Sequence, residues 1–415
     1  MVHQSRNKVI FSWALFDFAN SPFATLIITF VYSTFFVKVI AGDEISGTSM
    51  WSKAVAFSAI VVALISPVLG SIADGGNHRK KFLMISSIIF CISTAMLYTI
   101  LPGNPISALI WFIIANIFFE MGMVFYNAFL PEIAPPEKIG RISGFGWGLG
   151  YIGGLAALLV ALLGFIKPDV PWFGFSKELG ENIRAINLLT ALWFFIFSLP
   201  MFIYVKENKF ITKSKLSLKQ SVLNLIQTFK EIKKYKQVIK FLIARIFYND
   251  ALVTIFAFGG IYAAGTFNFS FNEIMIFGIV INIAAGAGAF LMGYFDDYFG
   301  GKLTIQMSII ALLAASILAI FSQNKTFFWI SGIIMGIFSG PNQSASRSFM
   351  ARIIPSNKYN EFFGFFAFSG KLTAFLGPFL LGVITDTFES QRIGMLVVVV
   401  FFIIGFSILS TVKSD

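Results

Sequence analysis

The sequence predicts an all-α membrane protein with twelve transmembrane helices in two six-helix halves. Its apolar composition, the even spacing of its apolar runs and an internal repeat carry this prediction. Of 415 residues, 57% are hydrophobic and 12% are charged, and the mean hydropathy is +0.82. A soluble domain carries about 25% charged residues, so this chain is too apolar to be an ordinary soluble protein.

Apolar runs long enough to cross a bilayer, about 20 residues each, recur along the whole chain. Helices and closed barrels are the structures that satisfy backbone polar groups in lipid, and these runs are too long for barrel strands. The predicted spans are 12–39, 51–73, 82–101, 107–131, 142–165, 185–205, 238–264, 271–295, 303–321, 326–350, 360–385 and 392–412.

The net charge of +11 is concentrated on alternate loops. The cations that fall on one side of the membrane are Arg6, Lys8, His78, Arg79, Lys80, Lys81, Lys138, Arg141 and the lysines between 206 and 236. This positive-inside pattern predicts a multi-pass protein of the cell (inner) membrane with both termini in the cytoplasm. The pattern explains the positive charge by the lipid bilayer, which is the predicted partner, and it disfavours nucleic-acid binding.

The cysteine and histidine content argues against redox, metal and cofactor chemistry. Cys91 is the single cysteine, which excludes a disulfide within the chain, and the two histidines, His3 and His78, form no cluster with it. The chain also lacks a phosphate-binding Gly-x-x-x-x-Gly-Lys-Ser/Thr loop. We therefore expect no cofactor, no metal and no ATP-driven step. Enzyme activity is disfavoured because the carboxylates have no recognisable nucleophile–base arrangement beside them.

An internal repeat divides the chain. GSIADGGNHRKK (70–81) and GYFDDYFGGKL (293–303) share a glycine, an aspartate and a cation at an offset of 223 residues (293 − 70). NAFLPEIAPPEKIGRISGFG (127–146) likewise matches RSFMARIIPSNKYNEFFGFF (347–366), with coincident pairs Phe129/Phe349, Ile133/Ile353, Pro135/Pro355, Lys138/Lys358 and Gly144/Gly364. Two parallel repeats of six spans describe the major facilitator architecture, with halves at 1–205 and 238–415.

The connection at 206–237 is predicted to be a basic amphipathic helix on the cytoplasmic interface. Its apolar residues recur with helical spacing, and lysines occupy the other faces. These apolar residues are Leu218, Val222, Leu225, Phe229 and Ile232. A regulatory protein-binding helix is the alternative.

The motifs resemble those of a known transporter family. GSIADGGNHRKK is similar to the major facilitator signature Gly-x-x-x-Asp-x-x-Gly-Arg-Arg/Lys, from which it departs at Asn77 and His78. WALFDFANSPFAT, YNAFLPEIAP, GFGWGLGYIGG and residues 343–378 resemble the vacuole-effluxer branch, the autophagy-related amino-acid exporters of fungi and their bacterial relatives. The resemblance implies secondary active or facilitative transport of a small solute, an amino acid or related zwitterion first, by alternating access.

Two alternatives to amino-acid transport stay open. The first is a transporter of another organic solute, and the second is a membrane receptor or scaffold without turnover. In either case we expect a monomer.

Candidate substrate-binding and coupling residues come from the helices that line the central cavity in this fold, together with one lysine of span 11. A charge at the bilayer centre costs about 2.5–3.5 kcal/mol and normally faces a cavity or a partner. Glu120 lies near the middle of span 4 and is the first candidate for proton coupling or for a substrate amino group. The other candidates are Asn20, Asn116, Asn127, Asn249, Gln343, Arg347 and Lys371.

Three of these residues have open alternatives. A structural carboxylate is the alternative for Glu120. Arg347 is expected to pair with Glu120, to clamp a substrate carboxylate or to bind a gate carboxylate. Lys371 resembles the family's lysine after Ser-Gly, with pairing to a nearby acid as its alternative.

A second set of residues is assigned to gating. Asp17 lies about five residues into span 1, near the cytoplasmic mouth, where Arg245 or Arg347 is its expected partner. Asp74 is expected to cap a neighbouring helix or to pair with Arg79 or another cation. The full gating set is Asp17, Gly70, Asp74, Arg79, Arg245, Asp250, Gly293, Asp297 and Lys302.

Overall fold

The computed structural model describes residues 6–76, 78–207, 227–228 and 232–413, and these residues are almost entirely helical, without a β-strand. The long helices are α1 (Arg6–Pro22, continued by π-helical turns to Ile40), α2 (Glu44–Gly76), α3 (Arg79–Met96), α4 (Pro105–Asn127), α5 (Ile139–Ala161), α6 (Glu181–Tyr204), α7 (Lys236–Phe267), α8 (Phe271–Phe299), α9 (Gly301–Phe321), α10 (Lys325–Ile353), α11 (Tyr359–Lys371), α12 (Leu376–Phe388) and α13 (Leu396–Ser410). The predicted all-α membrane architecture is confirmed.

Eleven helical segments of the described chain are long and apolar enough to cross a membrane. Helices α11 and α12 together make one of them, Ser356–Phe388. The twelfth predicted span is α10, which has ample length at 29 residues but a more polar sequence, PNQSASRS, in its second half. Most of that polar stretch is buried within the protein, so hydropathy alone understates this helix.

Both described chain ends lie at the same end of the bundle as the two repeated loops. Arg6 Nε donates to the carbonyl oxygen of Ile133 at 3.4 Å. Lys302 Nζ donates to the carbonyl oxygen of Ser410 at 3.3 Å, and the backbone N–H of Lys413 to Gln237 Oε1 at 2.9 Å. We call this the signature end of the bundle.

Two prolines mark departures from regular helix geometry. Pro22 is followed by π-helical turns over Phe23–Phe30, so span 1 widens there. Span 11 is broken at residues 372–375, between α11 and α12. Pro378 accounts for the break, because a proline ring clashes with the carbonyl group four residues earlier.

The predicted linker helix, 206–237, lies mostly outside the described residues and stays a prediction. One described part of this connection contacts the start of α11. Thr228 Oγ1 donates to Glu361 Oε1 at 2.5 Å, and both side chains are buried.

Candidate functional site

The aspartate of the first repeated loop caps a helix of the other half of the chain. Asp74 accepts hydrogen bonds from the backbone N–H groups of Asn360 at 3.0 Å and Glu361 at 2.8 Å, and from Asn360 Nδ2 at 2.7 Å. These groups begin α11, whose N-terminal N–H groups have no partner within the helix. Of the expected roles, Asp74 therefore takes that of the cap; it does not pair with Arg79.

The aspartate of the second repeated loop makes the corresponding contact in the opposite direction. Asp297 accepts from the backbone N–H groups of Gly140 at 2.7 Å and Arg141 at 3.3 Å, at the start of α5. It also pairs with the side chains of Arg141 and Arg352. Each half thus contributes one carboxylate that caps a helix of the other half.

Repeated glycines let the same helices touch. A methyl group at Gly144 would overlap the carbonyl oxygen of Ala289, and one at Gly364 would lie 2.5 Å from the carbonyl oxygen of Ser66. Gly70 and Gly293 are in similarly close contact with α11 and α5, respectively. Helices α2 and α11, and α5 and α8, therefore approach each other backbone to backbone near the signature end.

The cations of the two repeats differ in their partners. Arg79 is buried and forms an ion pair with Glu132 within the first half. Lys302, its repeat counterpart, instead donates to carbonyl groups at the end of α13. The position of Glu132 corresponds to Arg352 in the second half, and Arg352 pairs there with Asp296. In this second pair the repeated loop supplies the acid, whereas in the first pair the repeated loop supplies the base.

Besides Arg141–Asp297, two further ion pairs among the described residues join the halves, and the first of them connects α1 to α10. Arg347 Nη1 lies 2.8 Å from Asp17 Oδ2, with 2% and 7% of the two side chains exposed. Arg347 also donates to Asn127 Oδ1 at 3.3 Å, to Ser143 Oγ at 2.9 Å and to the Ser143 carbonyl oxygen at 2.7 Å. Of the two partners predicted for Asp17, the structure selects Arg347 and not Arg245.

Residues that the sequence interpretation missed complete the surroundings of Arg347. Its guanidinium carbon lies 4.8 Å from the ring centroid of Trp13, 5.8 Å from that of Tyr126 and 5.7 Å from that of Trp147. The adjacent Gly146 has no room for a methyl group, which would lie 2.5 Å from Asp17 Oδ2. The aromatic residues of WALFD and GFGWG were the available signal.

The second of these further ion pairs between the halves joins α4 to α11. Lys371 Nζ lies 2.6 Å from Glu120 Oε1, with 32% and 16% of the side chains exposed. The partner of Glu120 is therefore Lys371; the pairing with Arg347 that the sequence offered does not form. This pair is therefore more exposed than the Asp17–Arg347 pair.

Two further polar residues of α7 face α11 beside Lys371. Arg245 donates through Nη1 to the Phe366 carbonyl oxygen at 2.7 Å and to Ser369 Oγ at 2.8 Å. Asn249 Nδ2 donates to the Gly370 carbonyl oxygen at 3.4 Å. These two residues lie four positions apart and share one face of α7, and they bind the last turn of α11.

Asp250, placed by the sequence with the gating residues, lies beside the break in span 11. Its Oδ2 accepts from the backbone N–H of Gly377 at 3.0 Å, in the first turn of α12. The residue is 1% exposed. It is therefore held apart from the carboxylates at the repeated loops.

The remaining candidates are divided among three surroundings. Asn116 Nδ2 donates to Ser58 Oγ at 2.7 Å, so it faces α2 within the first half and not the Glu120–Lys371 pair. Asn20 Nδ2 donates to Asp17 Oδ1 at 3.4 Å. Gln343 Nε2 donates to Tyr151 Oη of the first half at 3.3 Å.

Comparisons with known proteins agree on one family. Residues 36–415 match the family model described as vacuole effluxer Atg22 like. The uncharacterized MFS-type transporter YxiO of Bacillus subtilis is 28% identical over 407 residues, which is 97% of this chain and 94% of that protein. Autophagy-related protein 22-1 of Aspergillus fumigatus is 22% identical, over 86% of this chain and 73% of that protein.

Solved structures show the same fold at low identity. The proton:xylose symporter XylE superposes with a TM-score of 0.75 at 13% identity, covering 98% of this chain and 94% of that one. A bacterial homologue of the iron transporter ferroportin in its outward-facing state gives a TM-score of 0.75 at 11% identity, covering 99% and 100%. These neighbours establish the major facilitator fold.

Proposed function

The chain belongs to the Atg22-like vacuole effluxer family of major facilitator transporters, and from this premise we propose that it carries an amino acid or related zwitterion across the cell membrane. The family and its structural neighbours are transporters, not enzymes. The observation that carries the substrate class is the partly exposed Glu120–Lys371 pair between the halves.

This pair has the charges that a zwitterion needs. The ammonium group of an amino acid would replace Lys371 beside Glu120, and its carboxylate would replace Glu120 beside Lys371. Partial exposure favours such an exchange, because a charge that is not fully buried loses less when it separates from its partner. Arg245 and Asn249 hold the last turn of α11 and so would position Lys371.

Arg347 is less suited to clamp substrate. Its donors already serve Asp17, Asn127 and Ser143, and its side chain is buried. We assign it instead to a gate. Opening the signature end would break this pair together with the Asp74 and Asp297 caps.

The direction of opening follows from the cross-half contacts. The hydrogen bonds described above between the halves cluster toward the signature end and the middle of the bundle. With the cations of the repeated loops in the cytoplasm, this arrangement corresponds to a transporter closed to the cytoplasm. Alternating access would then consist of rocking of the halves at 1–205 and 238–415 about the central pairs.

Purified protein in proteoliposomes provides the test. We expect saturable uptake of at least one member of a panel of the twenty radiolabelled amino acids. Glu120→Gln or Lys371→Gln should lower kcat/KM about tenfold to a hundredfold, the equivalent of one charge-assisted hydrogen bond. The exposed loop substitutions Glu137→Gln and Lys138→Gln are matched controls and should leave uptake unchanged.

Substrate analogues separate the two charges. An N-acetylated amino acid lacks the ammonium group, and its residual transport should be insensitive to Glu120→Gln. An amino-acid amide lacks the carboxylate and should be insensitive to Lys371→Gln. Saturable flux of sugars or organic acids that neither substitution changes would contradict the zwitterion site. An absence of flux over a broad solute panel would favour a receptor or scaffold.

A further inference from the structure

Asp250 differs from the other buried carboxylates in its ion pairs and hydrogen bonds. Asp17 and Glu132 each face an arginine, and Asp74 accepts three hydrogen bonds. Asp250 accepts one hydrogen bond at Oδ2, and its buried Oδ1 has no hydrogen-bond partner among the described residues. Within that described part of the chain, it forms no ion pair with a lysine, arginine or histidine.

A carboxylate in these surroundings is costly as an anion. Burying an unpaired charge is far more expensive than burying a paired one, and an isolated carboxyl group escapes the cost by taking up a proton. The N–H group of Gly377 at the start of α12 offsets part of the cost, since helix N-termini favour negative charge. The position is therefore poised between a charged and a neutral form.

The neighbouring ionisable groups are committed elsewhere. On α7, Arg245 binds the last turn of α11, and Tyr248 is hydrogen bonded to Ser346 of α10 at 2.8 Å. On the eleventh span, Lys371 is paired with Glu120. No described charged side chain on the packed helices is hydrogen bonded to Asp250 Oδ1.

The location connects this group to the substrate pair. Residues 372–375 link the capped end of α12 to Lys371, the last residue of α11. Charge on Asp250 strengthens the hydrogen bond that holds α12 to α7, and a proton on Oδ1 weakens it. A change at Asp250 thus acts through four residues on the lysine that faces Glu120.

We propose that Asp250 Oδ1 is the proton-binding site that couples transport to the pH gradient, in place of Glu120. The proposal rests on the transport function above and extends it. A proton enters on Oδ1, the hold of α7 on α12 relaxes, and the Lys371 side of the central pair is free to shift with α11. When the proton dissociates from Oδ1, Asp250 is charged again and caps α12 as before.

Infrared difference spectroscopy of the full-length protein tests proton binding without any substrate. Lowering the pH should produce the C=O stretch of protonated carboxylic acids, and Asp250→Asn should remove one component of that band. Asp386→Asn is the matched control, because it makes the same change at an exposed position of α12 and should leave that component in place. A band with the same components in Asp250→Asn as in wild type would overturn the proposal.

Flux measurements test the coupling. With one proton per substrate, a gradient of one pH unit supports about tenfold accumulation, the equivalent of about 1.4 kcal/mol. Asp250→Asn should abolish this accumulation of a transported amino acid while retaining exchange at equal pH, because an asparagine oxygen can still accept from Gly377.

Three outcomes remain distinguishable. Accumulation by Asp250→Asn that matches wild type would overturn the coupling role, as would accumulation driven by a sodium gradient in place of protons. If none of the twenty amino acids is transported but the Asp250 band still titrates, the substrate proposal fails and the proton site stands.

Discussion

Two of the ion pairs that cross between the halves of this transporter, Asp17–Arg347 and Glu120–Lys371, differ in how exposed their side chains are. The Asp17–Arg347 pair is 7% and 2% exposed, with Asn20, Asn127 and Ser143 adding hydrogen bonds around it. The Glu120–Lys371 pair is 16% and 32% exposed. When both charges are buried and hydrogen bonded on all sides, the pair can separate only if these contacts break together. A partly exposed pair can exchange one partner for a ligand. The same chemistry therefore suits a gate in one place and a binding site in the other.

The largest effect should come from breaking the buried pair on one side. Arg347→Gln leaves Asp17 buried without its cation, and such losses cost about 3–5 kcal/mol of stability. We expect a strongly lowered thermal unfolding midpoint in detergent. The double variant Asp17→Asn with Arg347→Gln should recover much of that loss. A double variant no more stable than Arg347→Gln alone would contradict the role of this ion pair in holding the halves together.

The two helix caps should respond unequally. Asp297→Asn weakens contacts with two arginines as well as with the start of α5, and hydrogen bonds to charged groups contribute about 1.5–3 kcal/mol. Asp74→Asn weakens only the cap of α11, which corresponds to about 1 kcal/mol. Thermal unfolding of the two variants side by side measures the difference, and equal losses would show that the arginines add nothing.

Close backbone contact across the halves makes a third comparison. Gly144→Ala forces a methyl group against the carbonyl oxygen of Ala289, and overpacking of this kind costs about 1–3 kcal/mol. Gly278→Ala is the control, because no atom lies within 4 Å of a methyl group there. The thermal unfolding midpoint should fall for Gly144→Ala only. Similar midpoints for both variants would show that the interface accommodates the added methyl group.

The smallest effect on stability is expected at the partly exposed Glu120–Lys371 pair. Glu120→Gln should cost about 1 kcal/mol or less, because water compensates a partly exposed charge that has lost its partner. This variant should unfold nearly as wild type does while its uptake falls. A loss as large as that of Arg347→Gln would place both pairs in the same structural role.

Some of this site could be read from the sequence. The polarity of span 4, the Asp-containing loops and Arg347 all stood out against apolar helices, so the candidate residues include both partners of each central pair. The pairing of Arg352 with Asp296 could not be read from the repeat, because the repeat aligns Asp296 with Ala73 and not with Arg79. The partner of Glu120 could not be read either, because it depends on how far one helix is rotated against another.

Hydropathy and the repeat predicted the spans, the division into two halves and the signature loops, since these are properties of local composition and of spacing along the chain. Only the tertiary structure decided that Asp17 pairs with Arg347, that Glu120 pairs with Lys371, and that Asp250 faces the start of α12. Those choices depend on burial depth, helix rotation and the break before Pro378, which arise when distant segments pack together. Residue types were encoded locally, and their partners were set by packing.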